Sequence, residues 1–400
     1  MAFIDKSSQW NIAEETAYGD KAGWTSVAAG EVPPAAGDFV ELINPTLDAS
    51  TEMLDREVLK NSMVKAQPLL GKETSSGSME VEIASSDEAG GGANAVNGDL
   101  LYKSGFGHRI ADVDATAGTT TAGVIAFTAP TDCDAYEVGQ AVVISGGAGD
   151  VEYAVVRSIV ANTTMTVSPA PADDQLLFGG LVSFTVARPD AAQISLAVQE
   201  YFEGNSSRSA YTYGGVVVSD VSLSYPVANI VKANFSIAGA GFDVANSDNA
   251  GDDVAARSAL CSSIVPYVAK NMTFTYDGTS YDIDSLELKV ASDIYDTEAL
   301  TTDGLTNKTA TGKSEVGGSF GLEYFGTTLF SAFQAGTSGE LFGTVTNAGT
   351  TAVVYAPKVV LTESAKSVDS GIYKESLNYT CLSSDICSSA SEDAITIAFG

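Results

Sequence analysis

Residues 71–83 read GKETSSGSMEVEI, and residues 312–324 read GKSEVGGSFGLEY. Aligned without gaps, the two windows share Gly71/Gly312, Lys72/Lys313, Gly77/Gly318, Ser78/Ser319 and Glu82/Glu323. Both close on alternating large apolar residues, Met79, Val81, Ile83 against Phe320, Leu322, Tyr324. Alternation of this kind marks a strand with one buried face. Each window therefore reads as a glycine-turned entry into such a strand.

The echo extends on both sides, which separates architecture from chance. Before each window lie an apolar strand candidate (Phe39 to Ile43; Ser285 to Val290) and a long polar excursion (Pro45 to Leu70; Ala291 to Thr311). After each come a short helix candidate and a strand pair, Val216 to Tyr225 with Lys232 to Ala238 in the first copy and Val359 to Glu363 with Glu375 to Leu382 in the second. Helices are expected around Gly98 to Lys103, Asp253 to Ser263 and Thr327 to Ala335. The copies differ mainly by a segment between Gly107 and Leu181, whose five short strand candidates and Gly/Asn turns read as a small inserted barrel. The predicted class is mainly β, with two tandem sandwich or barrel domains, each carrying a short helix. The expected divisions are 1–107 and 181–268 for the first domain, 108–180 for the insert and 269–400 for the second domain.

Composition agrees with a folded, turn-rich β chain: 400 residues, 44% hydrophobic, 39 glycines. The net charge of -31, from 51 acidic and 20 basic residues, opposes any grip on a nucleic-acid backbone. MAFIDKSSQW has no apolar core, so no export signal is expected, and no apolar run suits a bilayer. Cys133, Cys261, Cys381 and Cys387 lack zinc spacing and read as thiols, with a Cys381–Cys387 bridge as the alternative under oxidising conditions.

Catalytic patterns are missing. His108 is the sole histidine, so a histidine relay has no base elsewhere. The glycines at 90–92 and 239–241 lack a phosphate-loop ending and read as turns. Asp132/Asp134, Asp173/Asp174 and Asp248/Asp252/Asp253 lack the order of a calcium loop and read as solvated turns. No enzyme, cofactor or metal site is expected.

SSQWNIAEETAYGD, FVELINPTL and the first window resemble the entry of the major tail tube proteins of long-tailed bacteriophages. SFTVARPDAAQISLAVQEYFEGNSSRSAYTYGGVVVSDVSLSYPVANIVKANFSIAGAG resembles the same family, while GGSFGLEYFGTTLFSAFQAGT with YAPKVVLTE is similar to the second domain of its two-domain members. The resemblance implies a structural virion protein of the tail, assembled in the host cytoplasm, whose domains pack side by side into stacked rings around a DNA conduit. Either three chains give a ring of six domains, or six chains each give one domain to the tube and one to decoration. The implied partners are further copies of the chain, tape-measure and terminator proteins, and DNA that passes without specific binding; no membrane is involved. An acidic wall would repel phosphate, with Glu80, Glu82 and Glu323 as candidate lumen residues. The excursions Thr51 to Leu70 and Ser292 to Thr311 are expected to be loops that order against the next ring, with Glu52, Asp55, Arg56, Glu57, Lys60 and Lys65 in inter-ring salt bridges. The competing reading is an acidic β-domain surface or adhesin protein.

Overall fold

The computed structural model describes residues 8–15, 40–54, 69–86, 96–146, 151–171, 175–186, 194–203, 208–245, 264–269, 272–297, 307–323, 328–347, 350–369, 371–383 and 394–400. β1 (Ser8–Glu14), β2 (Thr46–Leu54), β3 (Leu69–Glu82) and β4 (Ala84–Ser86) precede α1 (Asp99–Phe106) and β5 (Gly107–Ile110). A closed barrel follows: β6 (Val113–Thr121), β7 (Val124–Phe127), β8 (Ala141–Gly146), β9 (Val151–Val160), β10 (Thr164–Ser168) and β11 (Gln175–Gly180). The chain returns through β12 (Val182–Val186), β13 (Leu196–Glu203), β14 (Arg208–Pro226), β15 (Lys232–Gly239) and β16 (Gly241–Ala245). β17 (Ile264–Pro266) leads into β18 (Met272–Tyr276), β19 (Thr279–Ser280), β20 (Ile283–Thr297) and β21 (Asn307–Glu323). The last elements are α2 (Thr328–Ala335), β22 (Ser338–Asn347), β23 (Thr350–Asp369), β24 (Ile372–Cys381) and β25 (Thr396–Phe399).

The two windows occupy β3 and β21, and the strands around them repeat the same pairings. β2 and β3 form a hairpin whose β3 pairs with β15 of the β14–β15 hairpin. β20 and β21 form a hairpin whose β21 pairs with β24 of the β23–β24 hairpin. Even the irregularities repeat. Register shifts between Thr51 and Met53 where the second copy shifts between Ser292 and Ile294. It shifts again between Val218 and Asp220, and correspondingly between Leu361 and Glu363. β14 then pairs with β20, so one antiparallel sheet runs through both copies in the order β2-β3-β15-β14-β20-β21-β24-β23.

β14 and β23 each serve two layers. Their first halves pair with β13 and β16, or with β22 and β25, and their second halves enter the eight-stranded sheet. The bulges lie at the change, the usual device for turning a strand from one sheet into another. One core fills the space between layers: Met79, Val81, Phe235, Leu223, Leu288, Phe320 and Leu377 from the eight-stranded sheet meet Ile12, Val198, Phe184, Phe274, Leu341 and Phe399. Each such side chain, fully buried, contributes about 1.5–3 kcal/mol. α1 adds Leu101, Tyr102 and Phe106 to this core and ends at Gly107, whose φ of 88° lets its N–H cap the Lys103 carbonyl.

The copies are also tied by the insert and the C-terminal strand. β25 pairs with β23 and with β12, so one short strand joins the second copy to the first. The barrel packs on the second copy through Val155, Phe342, Val353 and Tyr355. Arg157 donates to the Tyr355 hydroxyl at 2.6 Å and lies 3.4 Å from a Glu340 carboxylate oxygen, which also accepts from Ser168 at 2.9 Å.

Several expectations are corrected here. Residues 40–43 form no strand; the backbone is pinned there by Val40 N–H to the Trp10 carbonyl and Ile43 N–H to the Glu80 carbonyl, and the first-copy strand begins at Thr46. The polar excursions are not loops over their described parts: 51–54, 69–70, 292–297 and 307–311 extend the two hairpins as strands. The window glycines are strand residues rather than turns. A Cβ on Gly77 would run into the Thr46 carbonyl, and one on the aligned Gly318 into the aligned Glu287 carbonyl. The barrel has six strands over 113–180 rather than five, and β5 pairs with β12 outside it. Two helices form where expected, while the candidate at 253–263 lies outside the described residues.

Gly77→Ala and Gly318→Ala should each destabilise the chain by about 1–3 kcal/mol, the cost of forcing packed elements apart, read as a lowered denaturant midpoint; Gly278→Ala is the weaker comparison, because a Cβ there meets no neighbour and only its φ of 71° opposes it. A second expectation concerns Glu200 on β13, whose carboxyl is pushed up to about 7 by burial. The folded chain therefore holds that proton between the ordinary carboxyl pKa and about 7, where the unfolded chain has lost it, so this group's effect on stability worsens as pH rises through that window. Glu200→Gln should be relatively more stable than the parent at pH 8 than at pH 4, measured by thermal unfolding at both.

Candidate functional site

Opposite its core, the eight-stranded sheet presents a polar face. Alternation decides which residues lie there: on β14 Val221, Leu223 and Tyr225 are buried while Ser222 and Ser224 are exposed, and on β20 Leu286, Leu288 and Val290 are buried while Glu287 and Lys289 are exposed. β3 follows the same rule, with Met79 and Val81 buried and Glu80 and Glu82 half-buried on the other side. Hydroxyls and small residues fill the rest. Thr46 and Ser78 meet at 3.0 Å and Ser50 and Thr74 at 2.9 Å. A shallow groove of about 880 Å³ crosses β14, β20, β21 and β24, lined by Ser222, Ser224, Glu287, Lys289, Glu315, Ser319 and Asn378 among others.

Carboxylates dominate the charge on this face, and its lysines sit beside them. Lys232 lies 2.7 Å from Glu80, Lys289 3.5 Å from Asp220 and Lys374 3.2 Å from Asp284. Glu287 accepts from Ser319, and Glu363 from Asn378 Nδ2 at 2.8 Å. Paired lysines on a polar sheet leave the net field negative. Such a surface offers a polyanion little purchase.

The two ends of the sheet differ. The hairpins β2–β3 and β20–β21 project from one end, where Met53 and Leu69 are 64% and 53% exposed. The turns of β14–β15 and β23–β24 lie at the other, where Ile372 and Tyr373 are 46% and 66% exposed. Large apolar side chains are thus left in water at both ends. The lateral edges are β2 and the second half of β23, neither of which pairs with a further strand on its outer side among the described residues.

The residues singled out from sequence fall as follows. Glu80, Glu82 and Glu323 all lie on the polar face, with Glu80 held by Lys232. Glu52 is exposed on β2 near the projecting end, while Asp55, Arg56, Glu57, Lys60 and Lys65 lie outside the described residues. Sequence reading missed Asp48, Asp220, Glu287, Glu315 and Glu363, which share the face; Asp220, Glu287 and Glu315 each adjoin a core residue, and the strand pairings place Asp48 and Glu363 beside Ser76 and Asn378 on the same side.

Among the described residues no catalytic arrangement accompanies this face. His108 Nε2 lies 3.1 Å from Glu137, an ion pair at the foot of the barrel if the ring is protonated. Asp134 accepts from the Asn162 backbone N–H at 3.0 Å, which makes it a turn-stabilising group. Cys133 and Cys381 are buried thiols; Cys133 Sγ donates to Asp134 Oδ1 and to the Val160 carbonyl, and burial pushes the Cys381 thiol up to about 12, which keeps it unreactive. Cys261 and Cys387 lie outside the described residues. Among the described residues no cluster of three His, Cys, Asp or Glu could hold a metal ion, and no helix is long and apolar enough to cross a membrane.

No curated protein matches the chain at significant similarity. The family model described as phage tail tube protein matches residues 6–381, a span that takes in both copies, the insert and the whole polar face. The chain therefore belongs to the phage tail tube proteins, structural components of the virion tail.

Proposed function

We propose that three copies of the chain close laterally into a ring of six tube domains, that the polar face of the eight-stranded sheet lines its lumen, and that rings stack into the conduit through which DNA leaves the virion. The observation that carries this reading is the single sheet running through both copies, because each copy gives the same four strands to it. A second domain held apart as decoration would not share that wall, which disfavours six chains per ring. Three such sheets make a wall of twenty-four strands; at about 4.8 Å per strand its backbone diameter is about 37 Å before strand tilt widens it, enough to pass a DNA duplex. Glu80, Glu82 and Glu323 would then face the DNA together with Glu287 and Glu315, repelling phosphate so that it does not adhere.

Stacking is supported by the unlike ends of the sheet. Contact between two different surfaces of the same molecule does not close on itself and generates an open polymer. The hairpins carrying Glu52, and in sequence Asp55, Arg56, Glu57, Lys60 and Lys65, would reach the turn end of the next ring, where Ile372 and Tyr373 await cover. The division into domains at 1–107, 108–180, 181–268 and 269–400 is part of the same proposal. So are assembly in the host cytoplasm, the non-specific passage of DNA and contact with tape-measure and terminator proteins.

Electron microscopy of purified protein tests the reading. Hollow tubes or rings with three-fold end-on averages are expected; monomers or flat lattices would favour the surface-protein alternative and overturn it. The triple variant Glu80→Lys, Glu82→Lys, Glu287→Lys should still give tubes but slow DNA ejection from virions several-fold. Unchanged ejection would remove this face from the lumen.

A further inference from the structure

The chain contains a worked example of how one of its tube units meets the next. β14 ends the first unit and β20 begins the second, and they pair over seven positions, Asp220 with Ala291 through Pro226 with Ser285. The duplication maps both partners onto the sheet's open edges. Through the matching bulges and windows, Asp220 to Pro226 correspond to Glu363 to Asp369 on β23, and Ser285 to Ala291 correspond to Asn44 to Ser50 at β2.

Burial shows what those edges lack. Val290 and Leu288 are 1% exposed against β14, while their counterparts Ala49 and Leu47 are exposed and half-buried. Tyr225 is 2% exposed against β20, while its counterpart Val368 is 60% exposed. Resting on the ring reading above, we propose that β23 of one chain pairs antiparallel with β2 of a second copy in the internal register, placing Ala365 against Asp48 and Ser367 against Thr46.

This seam differs chemically from its template. Where the internal seam sets Lys289 beside Asp220 at 3.5 Å, the open edges set Asp48 diagonal to Glu363. On the core side Val221, Leu223 and Ala233 give way to Ser364, Lys366 and Glu375, with Ser364 donating to the buried Glu375 at 2.7 Å. Charges turned inward at a free edge are how natural sheets avoid indiscriminate pairing. The edge therefore stays soluble alone, and its closure weakens as salt falls, because like charges across it are then less screened.

Cysteine pairs test the register. β2 and β23 lie at opposite edges of one eight-stranded sheet, roughly 30 Å apart, so a disulfide between them cannot form within a chain. The double variant Asp48→Cys, Ala365→Cys, oxidised as assembled tubes, should give a non-reducing ladder that ends at the trimer. Asn44→Cys with Ala365→Cys, four residues out of register, should give none, as should each single variant. Tubes that form with no ladder, or with an equal ladder from the out-of-register pair, overturn the seam and leave the tube reading standing; failure of the parent chain to form rings overturns the tube reading itself. A ladder ending at six keeps the seam and replaces three chains by six. Independently, Asp48→Lys restores the lysine–carboxylate pair and should assemble at several-fold lower salt than the parent, and an unchanged salt dependence would count against the register.

Discussion

An antiparallel sheet must satisfy its backbone donors and acceptors on every strand, and its outermost strands have no one left to bond. Most of this chain's organisation answers that constraint. Duplication turns one edge inward: β14, which would end a four-stranded unit, finds β20 of the second unit beside it. β2 and β23 remain, and they are the strands whose counterparts are buried and apolar inside the chain. Within the molecule, that constraint is met by the β14–β20 seam.

Joining two units through one seam would leave a hinge, and three features stiffen it. β25 bonds to β23 on one side and β12 on the other. The barrel inserted in the first copy rests on the second through an apolar patch and the Arg157, Glu340, Ser168 and Tyr355 contacts. One core, rather than two, runs behind the wall. The insert is thus more than a tolerated surface loop, since it packs against the second copy as well as interrupting the first.

The repeat was legible from a few residues because each has a steric or packing task common to both copies. Gly77 and Gly318 press on aligned carbonyls, and Met79 and Phe320 open the same buried row. The projecting hairpins were read as loops because polar sequences with no buried face give no period to detect; their strand form comes from backbone pairing with each other. Phe39 to Ile43 reads as a strand because four of its five residues are apolar, yet single hydrogen bonds to Trp10 and Glu80 serve Val40 and Ile43 in place of a ladder. Alternation puts Glu80, Glu82 and Glu323 opposite the buried row, whereas the face of Asp48, Asp220 and Glu363 follows from neighbours far away in sequence.

Sequence by itself determined the β class, the repeated window and which side of its strand is buried, since these follow from local period and from residue types with one steric use. The tertiary structure alone decided that the two units share one sheet, that the insert packs across them, and which edges stay open. Strand order and register arise from pairings between segments hundreds of residues apart, such as β12 with β25. No local pattern carries that information, because any apolar, alternating strand can bond to any other until the bulges, glycines and packed core select one arrangement.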